Sequence, residues 1–347
     1  TPDTTQPFEP SIGGNIEFAD IDNDGDLDLF MTGRDNNNLI FSKLYQNDGT
    51  GGFSEVTSTP FISEGGSASA FFDMDNDNDL DLILAGKNNS NQKKTTLYEN
   101  DGSGNFSLVS NTPFENVDFA VIVIEDSDND SDLDVLINGE NDSGLPVCQL
   151  YLNDGTGAFN LLVGTPFIQT AVGTVDFADF DNDNDMDVLV TGSVGGQTFA
   201  AHIYENQGSN NFVLADSTLS GSYNGSNIVA DLNGDNKMDI VTTGTSFTSP
   251  FRAPKIYFNQ TASVSVNELN DDLGLIIFPN PSSGLISVKI NSASPTDIVI
   301  YDITGRVILS DTFFGNLWNT QLKQGPGKYI MQLVTDNKVY TRKITLK

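Results

Sequence analysis

The chain has a single cysteine, Cys148, so no disulfide can form within it and stability outside a cell must come from another kind of cross-link. Its single histidine, His202, leaves zinc chemistry or a serine–histidine couple hanging on one unsupported residue. Basic side chains are scarce: 16 Lys and Arg face 48 Asp and Glu, a net charge of −32. A polyanion needs a basic stripe to displace its counterions, so nucleic acid is excluded as a partner. No apolar run approaches the ~20 residues that cross a bilayer as a helix, so the chain is read as not membrane-spanning. No apolar leader follows Thr1, and the sequence is expected to be a mature or truncated form. Helical 3.6-residue periodicity is also missing.

What remains is length, acid and repetition. At 347 residues the chain is long enough for two domains. Residues 266–347 carry 7 acidic and 8 basic side chains, which leaves 41 of the 48 acidic and 8 of the 16 basic residues in 1–265. That contrast marks a boundary near 265. Residues 1–262 form the expected acidic domain, 263–274 a linker containing Ser263, Asn267, Asn270, Asp271 and Asp272, and 275–347 a second domain.

The acidic domain is one unit copied five times. Asp20, Asp73, Asp126, Asp179 and Asp231 head the same motif at spacings of 53, 53, 53 and 52 residues, and Tyr45, Tyr98, Tyr151, Tyr204 and Tyr257 recur every 53. Thr59-Pro60-Phe61, Thr112-Pro113-Phe114 and Thr165-Pro166-Phe167 follow the same period, with Gln6-Pro7-Phe8 one period earlier. A fixed period of this kind signals a repeat architecture. Within one unit an apolar run enters the acidic motif, another leaves it, a third ends at the tyrosine, and an Asn-Asp-Gly turn (Asn47-Asp48-Gly49, Asn153-Asp154-Gly155) leads to a fourth. Four short strands in ~50 residues predict a propeller blade, and the chain is predicted to be an all-β five-repeat propeller. Pro7-Phe8 is expected to complete the incomplete last unit and close the ring. A larger propeller with further blades upstream is the competing reading.

Each motif reads D-x-D-x-D-x-x-x-D: Asp20, Asp22, Asp24, Asp28; Asp73, Asp75, Asp77, Asp81; Asp126, Asp128, Asp130, Asp134; Asp179, Asp181, Asp183, Asp187; and Asp231, Asn233, Asp235, Asp239. A tight loop gathers positions 1, 3 and 5 around one point, a backbone carbonyl at position 7 (Asp26, Asp79, Asp132, Asp185, Lys237) adds an oxygen, and position 9 closes the shell. An all-oxygen shell of this kind suits Ca²⁺, which takes 6–8 such ligands, so about five ions are expected. Position 6 is Gly25, Asn78, Ser131, Asn184 and Asn236, four of them types that tolerate a left-handed backbone; Ser131 is the exception and predicts a weaker or reshaped third loop. An EF-hand would need a bidentate Glu at position 12, where Met31, Leu84, Ile137, Val190 and Thr242 stand. The loops hold 23 of the 48 acidic residues, and without metal their carboxylates should repel one another and titrate high. The expected role of the ion is to hold hairpins together.

These loops resemble FG-GAP and VCBS-type repeats of integrin-like propellers, whose loops have the form D-x-[DN]-x-DG-x-x-D. The resemblance implies calcium at the four side-chain ligands of each loop and the carbonyl at position 7. The missing Gly in loops two to five and Lys237 in the fifth depart from the pattern. Acidic loops and Asn-Asp-Gly turns should share one end of the blades. The opposite end, with Arg34, Lys87, Lys93, Lys94, Phe199 and Phe251, varies between copies and is the expected place for a glycan or surface-protein ligand. The tyrosine column reads as core. Paired carboxylates can serve a glycosidase, but nearly half of the acids are assigned to metal. No catalytic residue is assigned, and the chain reads as a binding or adhesion module rather than an enzyme. Two further readings stay open: a non-catalytic appendage of a larger exported polysaccharide-degrading enzyme, and a lyase on the propeller itself.

Beyond residue 275, Leu285–Ile290 alternates with period two, and further short apolar runs lie between Pro and Gly punctuation, which predicts a small antiparallel β-sandwich. F-P-N-P-S-S-G (278–284), I-Y-D-I-T-G-R-V (300–307), G-K-Y-I-M-Q-L (327–333) and the final R-K-I-T-L-K resemble the type A C-terminal sorting domain of the type IX secretion system. That resemblance implies export across the outer membrane of a Gram-negative bacterium to its surface or medium, with the secretion and sorting machinery as partner.

Overall fold

A computed structural model describes residues 5–62, 64–195, 198–245, 254–260, 273, 275–280, 282–292, 294–302, 306–335 and 338–347. The chain divides into two compact units, Thr1–Gln260 and Thr261–Lys347. Every regular element among the described residues is a strand. The expected linker residues 263–272, and Phe251, lie outside the described residues.

The first unit is built of sheets whose strands follow chain order, each antiparallel to the next. β1 (Ile16–Ala19), β2 (Asp28–Arg34), β3 (Ile40–Asn47) and β4 (Phe53–Val56) form the first sheet. The second is β5 (Glu64–Phe72), β6 (Asp81–Asn88), β7 (Lys93–Asn100) and β8 (Phe106–Leu108). The third is β9 (Val117–Glu125), β10 (Asp134–Asn141), β11 (Pro146–Asn153) and β12 (Phe159–Leu161). The fourth is β13 (Ala171–Ala178), β14 (Asp187–Gly195), β15 (Thr198–Asn206) and β16 (Phe212–Asp216). β17 (Asn227–Ala230), β18 (Asp239–Thr242) and β19 (Lys255–Tyr257) form a fifth sheet, three-stranded among the described residues.

The second strand of each sheet is apolar without alternation because it is covered on both faces. On β6, Leu82 and Leu84 pack toward the first sheet while Ile83 and Ala85 pack toward the third, and all four are buried. An alternating pattern needs one wet face, and these strands have none. The same division recurs between the third and fourth sheets, where Leu136 and Leu150 meet Val188, Val190 and Tyr204. The second, third and fourth sheets therefore each contribute one face to the core before them and one to the core after.

Side chains fasten successive sheets at fixed places. The Pro-Phe segment that ends one repeat inserts its phenylalanine against the tyrosine of the next: Phe61 meets Tyr98 edge-on at 5.1 Å between ring centroids, and Phe114 meets Tyr151 at 4.9 Å. The residue after that phenylalanine donates its backbone N–H to the same tyrosine hydroxyl, Ile62 to Tyr98 at 2.9 Å and Ile168 to Tyr204 at 2.7 Å. An asparagine just beyond the tyrosine reaches back across the boundary: Asn100 Nδ2 donates to the Ile21 carbonyl, Asn153 to Met74 and Asn206 to Ser127, at 2.8, 2.8 and 3.0 Å.

This arrangement corrects the expected role of Pro7-Phe8. Phe8 lies 5.2 Å from both Tyr45 and Phe53, and Glu9 donates to the Tyr45 hydroxyl at 3.0 Å, so the segment caps the first sheet and does not complete the fifth. The physical reason is that the Pro-Phe motif lies beyond the fourth strand of its repeat: β4 ends at Val56, three residues before Thr59-Pro60-Phe61. Proline has no N–H for a ladder, and phenylalanine here serves as a wedge into the next sheet. The outer face of β1 stays wet at Ile16 and Phe18, as does that of the fifth sheet at Ile228, Ile256 and Phe258.

In the second unit, β20 (Ile276–Phe278), β21 (Leu285–Lys289) and β24 (Leu317–Gln321) form one sheet. β22 (Thr296–Asp302), β23 (Val307–Phe313), β25 (Gly327–Thr335) and β26 (Lys338–Leu346) form the other. Both contribute to one core, with Ile286, Val288 and Trp318 from the first and Ile298, Ile300, Met331 and Ile344 from the second. Leu273, counted with the linker on sequence, is buried in this core.

Replacing Tyr98 with Phe should lower the stability of the first unit by about 1–2 kcal/mol, because the Ile62 N–H loses its acceptor in a half-buried place. Thermal unfolding of the Tyr98→Phe chain checks this; an unchanged midpoint would show that the hydroxyl fastens nothing.

Candidate metal centre

Each acidic motif joins the first and second strands of its sheet, and the backbone groups of the loop wrap around its carboxylates. In the first loop Asp20 accepts the N–H of Asp24 at 3.1 Å and of Gly25 at 3.0 Å, and Asp24 accepts the N–H of Asp26 at 2.9 Å. The other four loops repeat these bonds, with Asp73, Asp126, Asp179 and Asp231 as first residue. The chain can turn this sharply because two positions of every loop are left-handed. Position 6 has φ of 91° at Gly25 and 62–78° at Asn78, Ser131, Asn184 and Asn236. Position 4, Asn23, Asn76, Asn129, Asn182 and Gly234, is left-handed too, at 60–79°. Ser131 keeps the same bond to Asp126, at 2.9 Å, so the expectation of a reshaped third loop is not met. The loop closure overrides the steric preference of serine.

The ninth residue is the buried brace. Asp28, Asp81, Asp134, Asp187 and Asp239 are all at most 2% exposed. One oxygen accepts the N–H at position 2 and the other accepts that of an asparagine at the end of the third strand or, in the fifth loop, just beyond it (Asn259). For Asp81 these are Met74 at 3.0 Å and Asn100 at 2.8 Å. Burial pushes the carboxyl of Asp81 up to about 7 and those of Asp134 and Asp187 to about 6, against the pull of these N–H donors. Desolvation thus outweighs mutual repulsion as the reason these acids titrate high.

Position 3 faces the middle of the loop. Asp22, Asp75 and Asp128 each keep one buried carboxylate oxygen with no hydrogen-bond partner. An anionic oxygen cut off from water without a donor is costly, and a cation is the group that would match it. The ligand atoms of Asp20, Asp22 and Asp24 lie within 4.8 Å of one another, and so do those of Asp73, Asp75 and Asp81; Asp126, Asp128 and Asp130; and Asp179, Asp181 and Asp187. Four of the predicted loops therefore gather three carboxylates each, all from the residues expected on sequence. An all-oxygen donor set of this kind fits a hard divalent cation. The fifth loop differs: the Asn233 amide turns to donate to Asp235 at 3.3 Å, and an open groove of about 500 Å³ lies along Asn233, Asp235, Lys237 and Phe258.

Position 7 serves a second purpose that the spacing did not reveal. Asp79, Asp132 and Asp185 accept the side-chain amides of Asn23, Asn76 and Asn129 from the preceding loop, at 2.8, 2.8 and 2.9 Å. The Asn-Asp-Gly turns do sit at this end: a side chain at Gly102 or Gly155 would collide with Asp79 or Asp132. They are wider than tight two-residue turns, since Asp48 N–H bonds to the Gly52 carbonyl with both Gly49 and Gly51 left-handed. The residue after each tyrosine also went unnoticed on sequence. Gln46 donates to Asp22, and Glu205 is one of the groups that, after burial, push Asp181 up to about 7. The signal was present: the column reads Gln46, Glu99, Leu152, Glu205, Phe258.

At the opposite end, two of the candidate ligand contacts are already engaged. Lys87 is paired with Asp118 at 2.6 Å, and buried Lys93 with Glu140 at 2.7 Å. Phe199 stacks on Tyr223 at 5.9 Å. His202 is half-buried, its Nδ1 3.1 Å from the Tyr204 hydroxyl. The tyrosine column is core, with Tyr45, Tyr98, Tyr151 and Tyr204 at most 2% exposed.

In chelator, the stability of the first unit should fall as pH rises from about 5 to about 8. Acids whose folded pKa is raised contribute stability while protonated and lose it as pH passes through their folded values, about 6 to 7 for Asp81, Asp134 and Asp187. A melting midpoint that climbs across this range would contradict the assignment. Ser131→Asn should raise the midpoint by roughly 0.5–1 kcal/mol equivalent, since Asn accepts the left-handed backbone more readily.

Comparison with known proteins agrees with the repeat. The family model of the FG-GAP-like repeat matches residues 20–84, 73–137 and 126–190, each match running from one acidic loop through the next. The secretion system C-terminal sorting domain matches residues 276–347. No curated protein matches the chain. No helix among the described residues is long and apolar enough to cross a membrane.

Proposed function

We propose that this chain of FG-GAP-like repeats, exported to the surface or surroundings of a Gram-negative bacterium by its type IX sorting domain, is a calcium-stabilised propeller that binds an extracellular ligand and catalyses nothing itself. The observation that carries the reading is the partnerless buried oxygen of Asp22, Asp75 and Asp128, set among carboxylates at the same corner of successive sheets. In each loop positions 1, 3, 5 and 9 would hold the ion, with the carbonyl of position 7. Calcium would supply the positive charge that these carboxylates lack, and it would do so outside the cell, where disulfides are the usual staple. Cys148, buried and with its thiol pushed up to about 12 by desolvation, offers none.

The propeller reading follows from the second to fourth sheets, which each give one face to the core before and one to the core after. Ring closure would bury the two faces that remain wet, Ile16 and Phe18 on one side and Ile228, Ile256 and Phe258 on the other. Adhesion is assigned to the end away from the metal loops. There Phe199 and Tyr223 form a stacked pair, Tyr223 being 38% exposed, which suits the apolar face of a sugar ring or a surface protein side chain.

Calorimetry of the full chain tests the metal. Calcium at ~100 times Kd should add ~2.7 kcal/mol per independent site to the first unit and leave the second unit's transition in place. It should also abolish the fall in stability toward alkaline pH. Identical traces in calcium and chelator would refute the metal assignment. For the ligand, a glycan array probed with the full chain should give signals that Phe199→Ala with Tyr223→Ala removes; signals that survive both changes would place binding elsewhere.

A further inference from the structure

The third loop lacks something that its neighbours have. In the first and fourth repeats a polar side chain after the tyrosine, Gln46 or Glu205, stands beside the position-3 carboxylate. In the third repeat that place is taken by Leu152, which cannot donate or ligate. The third loop is approached instead from the next repeat. In the turn between the third and fourth strands, six residues past the tyrosine, three repeats have Gly51, Gly104 and Gly157, and the fourth has Asn210. All four are left-handed, with φ of 89°, 74°, 77° and 59°. This turn overhangs the preceding repeat's acidic loop: a side chain at Gly104 would meet Ile21 and Asp22, and one at Gly157 would meet Met74. Only Asn210 places a polar group there.

Asn210 is 9% exposed, and its Nδ2 lies 3.2 Å from Asp128 Oδ2. Its own Oδ1 is buried without a partner, and so is Asp128 Oδ1. Two buried orphan oxygens thus belong to side chains already in contact, one from each of two repeats. A half-turn of the amide exchanges Oδ1 and Nδ2 at little steric cost. It would bring an amide oxygen within 3.2 Å of a carboxylate oxygen. Two oxygens at that separation repel unless a cation lies between them, and it is a normal edge for oxygens that each sit 2.3–2.6 Å from one Ca²⁺.

We propose that the ion of the third loop is shared between two repeats, with the Asn210 side-chain carbonyl from the fourth repeat as a ligand beside Asp126, Asp128 and Asp130. This rests on the reading of the loops as calcium sites and extends it. A metal bound this way would join the third sheet to the fourth, as well as close its own hairpin. Asn210 keeps the left-handed backbone while adding the oxygen that Leu152 does not provide.

Equilibrium dialysis of calcium on the full chain tests the proposal. Asn210→Gly, the residue of the other repeats, should weaken one class of site by about tenfold or more while the remaining sites keep their affinity. Asn210→Asp, which adds charge at the same place, should tighten that class. In a chain whose third loop is disabled by Asp128→Asn with Asp130→Asn, Asn210→Gly should change nothing further, the mark of one shared site. Calcium isotherms of Asn210→Gly and Asn210→Asp that superimpose on the parent's would overturn the role of Asn210 and leave the loops as calcium sites. So would an equal loss of stability in calcium and in chelator, which would make Asn210 a latch alone. A parent chain that takes up no calcium would overturn the underlying reading together with this one.

Discussion

The first unit depends on carboxylates held where water cannot reach them. The ninth aspartate of each loop is buried, accepts two backbone N–H groups, and so ties the loop to the third strand of its sheet. Those donors satisfy its oxygens but do not neutralise its charge, and desolvation still raises Asp81, Asp134 and Asp187 well above an ordinary carboxyl. The third aspartate is left worse off, with an oxygen that has no donor in three loops. A cation at this corner would relieve both problems at once.

Around that constraint the repeat distributes its side chains economically. Apolar residues on both faces of the second strands make one core per sheet boundary, so no sheet is stable by itself and each needs its neighbours. The boundaries are then pinned by three directional contacts: phenylalanine on tyrosine, backbone N–H on tyrosine hydroxyl, and asparagine on a carbonyl of the preceding loop. A fourth runs along the acidic end, where the asparagine at position 4 of one loop bonds the carboxylate at position 7 of the next. Lys237 stands at that position in the fifth loop, and the carboxylate acceptor is lost there.

Two ends of one scaffold are therefore specialised differently. At one end near-identical loops hold charge and pass hydrogen bonds from repeat to repeat. At the other, lysines that vary between copies are absorbed into ion pairs with the neighbouring repeat, and an aromatic pair stays accessible. Export by a C-terminal sorting domain suits the proposed calcium sites, because a frame that takes an external ion would complete itself only after leaving the cell.

Period and composition alone determined the five units, their strands, the aspartates that the loops gather and the place of the tyrosines. Each of these rests on contacts within some 50 residues, and a repeated short-range pattern is visible in a string of letters. The tertiary structure decided what joins one unit to another. Pro7-Phe8 caps the first sheet, the aspartates of position 7 accept amides from another loop, Leu273 belongs to a core, and Asn210 leans over Asp128. The asparagine latches and Asn210 link residues 79 and 82 positions apart. Such pairs are fixed by how one sheet's turn overhangs the next loop, a consequence of packing that no spacing within a single repeat encodes.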